Sequence, residues 1–218
     1  RQGKAPELHQ DFRPLLEDKS IHAVSIATPD HWHALASILA AKAGKDVYSE
    51  KPCGITIRDC QELDDTMRRY GRVFQAGTQR RNVANFRFAV DLARSGKLGN
   101  IHTIHASIYN LKELHDWLPA EPEPDPEICD WDRWLGHAPY VPYNRNRHSM
   151  AVKGRGWQKH WDYCGGQLSD DGSHVLDLAR LAIGDPPHPK SVSCTGGRII
   201  YRDEREKRKG MLPPIFLR

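Results

Sequence analysis

Short apolar runs alternate with helical stretches over the first 78 residues. Phe12, Leu15 and Leu16 recur at helical spacing, and a polar turn separates them from Ala23 to Ala27, an apolar run of the kind a parallel sheet covers on both faces. DHWHALASILAAKAGK (30–45) predicts a helix that Asp30 caps, Ala and Leu fill, and Gly44 ends. DVYSEKP (46–52) predicts a second strand that stops before Pro52. TIRDCQELDDTMRRYGR (56–72) predicts a helix with Thr56 as cap and Gly71 at its end. VFQAGTQ (73–79) predicts a third strand. A β-α-β-α-β order with short connections is that of a doubly wound parallel sheet with right-handed crossovers.

The rhythm changes after Thr78, and a domain boundary is expected near residues 78–82. NFRFAVDLARSGKLGN (85–100) predicts an amphipathic helix closed by Gly96 and Gly99. IHTIHASIYN (101–110) alternates like a strand with one covered face. Residues 113–150, rich in Pro, Trp, His and Asn, predict an extended excursion over a pocket or a subunit contact. SDDGSHVLDLARLAIG (169–184) returns to helix, and KSVSCTGGRIIY (190–201) predicts another strand.

Composition narrows the field. Of the 218 residues, 39% are hydrophobic and 28% charged, a balance that supports a folded core rather than disorder. The net charge is +4, and the basic residues are scattered among acids except in RDEREKRKG (202–210), so a nucleic-acid partner is not expected. No apolar run reaches the roughly 18 residues of a membrane span. The five cysteines (Cys53, Cys60, Cys129, Cys164, Cys194) include no CxxC pair, which argues against a zinc ribbon and for buried free thiols.

Candidate chemistry falls at strand ends and at one helix start. In an open α/β sheet, ligands collect beyond the carboxyl ends of the strands. ATPDHWH (27–33) and Glu50-Lys51-Pro52 both lie there. A lysine so placed can donate hydrogen bonds from a fixed point charge, and Pro52 holds Lys51 extended and allows a cis bond before it. A surface lysine in a salt bridge before a loop proline fits the tripeptide as well. In GGQLSDDGSHVLDLA (165–179), Gly165 and Gly166 permit a tight turn or a close approach of backbone. His174 lies four residues after Asp170 and three before Asp177, so carboxylates flank it on one helical face and can fix its tautomer for proton transfer. A helix start capped by Ser169 or Asp170, with His174 packed beneath, fits the same residues. A metal is not expected. His31 and His33 point in different directions on a helix, with His31 expected on the solvent side, and Asp170 with His174 lacks a third ligand at familiar spacing.

Taken in order, ATPDHWHA, AGKDVYSEKP, YGRVFQAGTQRR, LARSGKLGNIHTIHA and GGQLSDDGSHVLDLA resemble the glucose–fructose oxidoreductase / inositol dehydrogenase / rhizopine-catabolism (Gfo/Idh/MocA) family over residues 8–201. DWDRWLGHAPYVPYNRNR (130–147) is similar to a connecting segment in one branch of it. The resemblance implies an α/β protein: part of a Rossmann domain over 1–78, then an α/β substrate-binding and oligomerisation domain with a mainly antiparallel sheet over 79–218. It implies an NAD- or NADP-dependent oxidoreductase acting on a secondary alcohol of a sugar or polyol, and a homo-oligomer, dimer or tetramer. It assigns Lys51 to the substrate hydroxyl and nicotinamide, His174 to proton transfer, and Asp170 to binding and polarising the reacting hydroxyl. Thr28, Pro29, His33, Glu50, Lys51, Pro52 and Gln79 then line the cofactor, with His33 facing the nicotinamide side. An NAD-dependent glycosidase or lyase working through transient C3 oxidation, and a non-catalytic binding protein of the same fold, stay open. The sequence departs from the family pattern in having no G-x-G-x-x-G fingerprint, and truncation at both ends is expected. The compartment is open between cytoplasm, which is favoured, and export to the periplasm.

Overall fold

The computed structural model describes residues 5–108, 118–149, 156–195 and 216–217. It separates into two compact units, one of residues 1–77 and 120–145, the other of 78–119 and 146–218.

The first unit is built on a parallel sheet in the order β1-β2-β3, with β1 Ala23–Ile26, β2 Asp46–Glu50 and β3 Phe74–Gly77. Val24 pairs with Val47 and Val47 with Phe74, so these side chains share one face. The crossover helices α2 (Asp30–Lys42) and α3 (Ile57–Tyr70) supply Ala36, Ala40, Ala41, Leu63 and Met67 to a core with Ile26 and Val47. A short helix α1 (Arg13–Glu17) precedes β1 and sends Leu16 against that core. The expected burial of Ala23–Ala27 on both faces is not met, because Ala23 and Ser25 on the opposite face are exposed. The helix ends follow local chemistry. Thr56 and Asp59 form a reciprocal capping box, and Gly71 closes α3 in the left-handed region at φ 59°. Asp30 does not cap α2. Pro29 holds the N-cap position, and Asp30 is the first helical residue, where its charge complements the helix dipole.

Residues 120–145 of the proline-rich excursion belong to the first unit. Within them α5 (Trp131–Leu135) is capped by Asp130, whose side chain accepts from Arg133 N, and Trp131 donates to Val141 O at 2.8 Å. Trp134 O accepts from Trp32 Nε1 at 2.9 Å, and the His31 ring lies tilted against Trp134 and His137, with centroids 5.4 and 5.7 Å away. His31 is therefore buried at 3% exposure, not on a solvent side. Burial pushes its pKa down to about 4, against a smaller opposing effect of its hydrogen bond with Trp134 O.

In the second unit a 3₁₀ turn (Gln79–Asn82) leads into α4 (Ala84–Arg94), which packs on α7 (Asp171–Ala182); α6 (Arg145–His148) lies between them in sequence. Gly96 and Gly99 follow α4 at positive φ. The strand expected over 101–110 is not present in its described part, 101–108, which pairs with no strand among the described residues. Described β structure in this unit is one antiparallel pair, β4 (Cys194–Thr195) with β5 (Phe216–Leu217); the rest of the expected strand, 196–201, lies outside the described residues. Of the cysteines expected to be buried, Cys164 is; Cys60 and Cys194 are exposed.

Candidate active site

Because the strands are parallel and in register, their carboxyl ends open on the same edge, Ile26 beside Ser49 and Glu50 beside Gly77. Thr28-Pro29 follows β1, Lys51-Pro52 follows the central strand β2, and Thr78 follows β3. Lys51 is half-buried, and the Lys51–Pro52 bond is cis. Thr28 is exposed, while Pro52 is buried. Behind this edge stands His33, 2% exposed, in the first turn of α2. Its Nδ1 lies 2.7 Å from Pro52 O and its Nε2 2.8 Å from Thr28 O. Both ring nitrogens are thus engaged by backbone, and His33 backs the wall that Thr28 and Pro52 form.

Two further side chains flank β2, Lys45 before its amino end and Cys53 after its carboxyl end. Lys45 buries its ammonium at 2% exposure and donates to Asp18 O and Ile21 O, at 2.5 and 2.8 Å, fixing the turn that enters β1. Burial pushes the half-buried Cys53 thiol, next to Pro52, up to about 11, which keeps it neutral.

In the second unit, Asp170 and His174 stand one turn apart at the start of α7, with 5% and 9% exposure. Asp170 occupies the N-cap position, yet its side chain makes no capping bond. Its Oδ2 instead accepts from Gln158 Nε2 at 2.8 Å. Gly166, at φ 84°, makes the turn before the helix with the Trp161 ring within 3.6 Å of where a Cβ would lie. Asp177, expected beside His174, is engaged elsewhere: Arg81 grips it through two bonds of 2.6 Å and also reaches Asp185 at 3.4 Å. Arg80 lies 3.8 Å from Asp171. Gln79, expected to line the cofactor, is exposed at the start of the 3₁₀ turn.

Lys51, Glu50, Pro52, Thr28, Pro29 and His33 therefore gather in the first unit, and Asp170 and His174 in the second. Gln158, Lys45 and Arg81 were not singled out from sequence. Each acts through a partner 12 or more residues away, a pairing for which no local spacing rule exists. Among the described residues no three His, Cys, Asp or Glu side chains group as a metal site, and no helix is long and apolar enough to cross a membrane.

The parallel β-α-β-α-β sheet of the first unit is a partial Rossmann architecture. The chain belongs to the Gfo/Idh/MocA oxidoreductase family: residues 4–78 match the model of its NAD-binding Rossmann fold, and 98–196 that of its C-terminal alpha/beta domain. It is 32% identical to inositol 2-dehydrogenase 1 of Saccharopolyspora erythraea over 70% of this chain and 47% of that protein. It is 26% identical to levoglucosan dehydrogenase of Pseudarthrobacter phenanthrenivorans over 80% of this chain and 36% of that one. The solved structure of a levoglucosan dehydrogenase in complex with NADH and levoglucosan shares the fold, with a TM-score of 0.58 and 23% identity over 87% of this chain and 41% of that one. The chain spans less than half the length of these relatives.

Lys51, Thr28 and Pro52 stand together at the strand ends, the edge at which a sheet of this kind takes a dinucleotide. The sequence has no glycine-rich turn of the kind that cradles the pyrophosphate.

Proposed function

We propose that this chain forms part of an NAD(P)-dependent oxidoreductase that acts on a secondary alcohol of a sugar or polyol. The observation that carries the reading is the placement of Lys51 on the central strand end, braced from behind, in a chain that also holds Asp170 and His174 buried at the start of α7. The inositol and levoglucosan dehydrogenases among its relatives support the substrate class.

The cofactor, when bound, supplies the hydride acceptor. His174 takes the hydroxyl proton as general base. Lys51 donates to the same oxygen and stabilises the negative charge that develops on it. Asp170, held by Gln158, orients the reacting hydroxyl or its neighbour. Thr28, Pro29, Glu50, Pro52 and Gln79 line the cofactor, with His33 behind them. A homo-oligomer is part of the proposal, supported by exposed Phe88, Ile101 and Ile104 in the second unit; light scattering on the intact protein tests it.

Assay of the intact protein with NAD or NADP against a panel of polyols and sugars tests the function. Reduced cofactor formed with a free sugar or polyol supports the reading. Release of an aglycone with no net reduced cofactor replaces it with transient oxidation, and failure to bind any dinucleotide in calorimetry removes the enzyme reading.

A further inference from the structure

Lys51 can hold an oxygen anion only if its ammonium is presented at a fixed point, yet it follows the last residue of β2 and leaves the ladder there. On its N-terminal side the backbone is fixed, since Glu50 pairs with Gly77. On its C-terminal side no strand continues. On that side His33, from a different element, engages the turn: Nδ1 is 2.7 Å from Pro52 O, one residue beyond Lys51, and Nε2 is 2.8 Å from Thr28 O. One buried ring thus spans the turns after two neighbouring strands.

We propose that His33 is a positioning residue for Lys51: its imidazole ties the turn after β1 to the turn after β2 and so fixes where the Lys51 ammonium is presented. The inference rests on the reading of Lys51 as the group that holds the reacting oxygen.

The donor pattern makes the idea specific. A carbonyl oxygen only accepts, so each ring nitrogen can serve here only as a donor, and a neutral ring satisfies one carbonyl at a time. The two contacts are separable by substitution. An asparagine amide reaches roughly where Nδ1 lies and can donate to Pro52 O. A glutamine amide reaches roughly where Nε2 lies and can donate to Thr28 O. Phenylalanine fills the space and donates to neither. The helix-internal bond from Ser37 Oγ to His33 O, 2.6 Å, uses only the His33 backbone and survives all three changes.

The test is steady-state kinetics of the intact protein with dinucleotide and its best alcohol, with thermal unfolding of each variant alongside. His33→Phe is expected to lower kcat by about 10²-fold, the scale for misplacing a catalytic group by about 1 Å. The alcohol KM should change by less than about threefold, because ground-state binding is retained. His33→Asn should recover most of kcat, while His33→Gln, at similar thermal stability, should not. A purely structural His33 gives a different pattern: kcat follows the folded fraction, and the Asn and Gln variants behave alike. That pattern, or wild-type kcat in His33→Phe, overturns the proposal; where His33→Phe fails to fold, the Asn and Gln pair decides. Lys51→Met separates the two levels. Full turnover in it removes Lys51 from the chemistry and the positioning role with it, whereas a dead Lys51→Met beside a fully active His33→Phe overturns the brace alone.

Discussion

The two units fix their chemistry by different means. Around Lys51 the holding interactions are short, buried and to backbone: the β ladder to Gly77 and the His33 ring on two carbonyls. Around Asp170 and His174 the holding interactions are between side chains and partly exposed: Gln158 on Asp170, Arg80 near Asp171, and Arg81 on Asp177 and Asp185. Buried hydrogen bonds to backbone are little screened by ions, whereas half-exposed ion pairs are. The first unit should therefore keep its geometry through changes of salt and lose it to changes of volume or of buried protonation. The second should respond to salt.

The largest expected effect on function is from His174→Ala, which should lower kcat by about 10²–10⁴-fold, the range for loss of a general base. On stability, the largest effect belongs to the first unit. Gly136 follows α5 at φ 56°, and a Cβ there would come 2.1 Å from the Trp32 ring. Gly136→Ala should destabilise that unit by about 2–4 kcal/mol, from overpacking and left-handed strain together, read in calorimetry as a fall in its Tm.

Next is the pH dependence of the same unit. The His31 pKa falls from 6.5 unfolded to about 4 folded, through burial. Between these values the unfolded chain binds the extra proton, so stability is full above about pH 6.5, falls as pH drops toward 4, and levels below it. The loss is about 3 kcal/mol at about 1.4 kcal/mol per pH unit. His31→Leu should flatten the Tm profile over that window; an unchanged slope contradicts the assignment.

The smaller effects sharpen the contrast. Arg81→Ala should cost the second unit about 1 kcal/mol, since the pair is partly exposed, and the difference from wild type should shrink in high salt. Thr56→Ala, which removes the α3 capping box, should cost the first unit about 1 kcal/mol with no salt dependence.

The same contrast explains what could be read from sequence. The β1-α2-β2-α3-β3 order was legible because its signals are local: the apolar runs, Thr56 three residues before Asp59, and Gly71 where the helix must stop. Lys51, Asp170 and His174, which the proposal assigns to the chemistry, were read from an ordered set of motifs. What misled was long-range. His31 looks like a solvent-side residue until residues 120–145 return to cover α2 with Trp134 and His137. Residues 101–108 alternate as a strand does, but alternation makes a strand only where a partner completes the ladder, and among the described residues none does. Asp177 has the right spacing to orient His174, yet Arg81, 96 residues away, takes its carboxylate. Asp30 resembles a cap, but Pro29 already holds the cap position with an extended backbone.

In the proposed function, Lys51 and the Asp170–His174 pair all serve oxidation of a secondary alcohol. Cofactor reduction by the intact protein on a polyol or sugar, compared between wild type, Lys51→Met and His174→Ala at matched folded fraction, tests it most directly. Turnover in the wild type and a loss of about 10²-fold or more in each variant are expected. Turnover retained in either variant contradicts it.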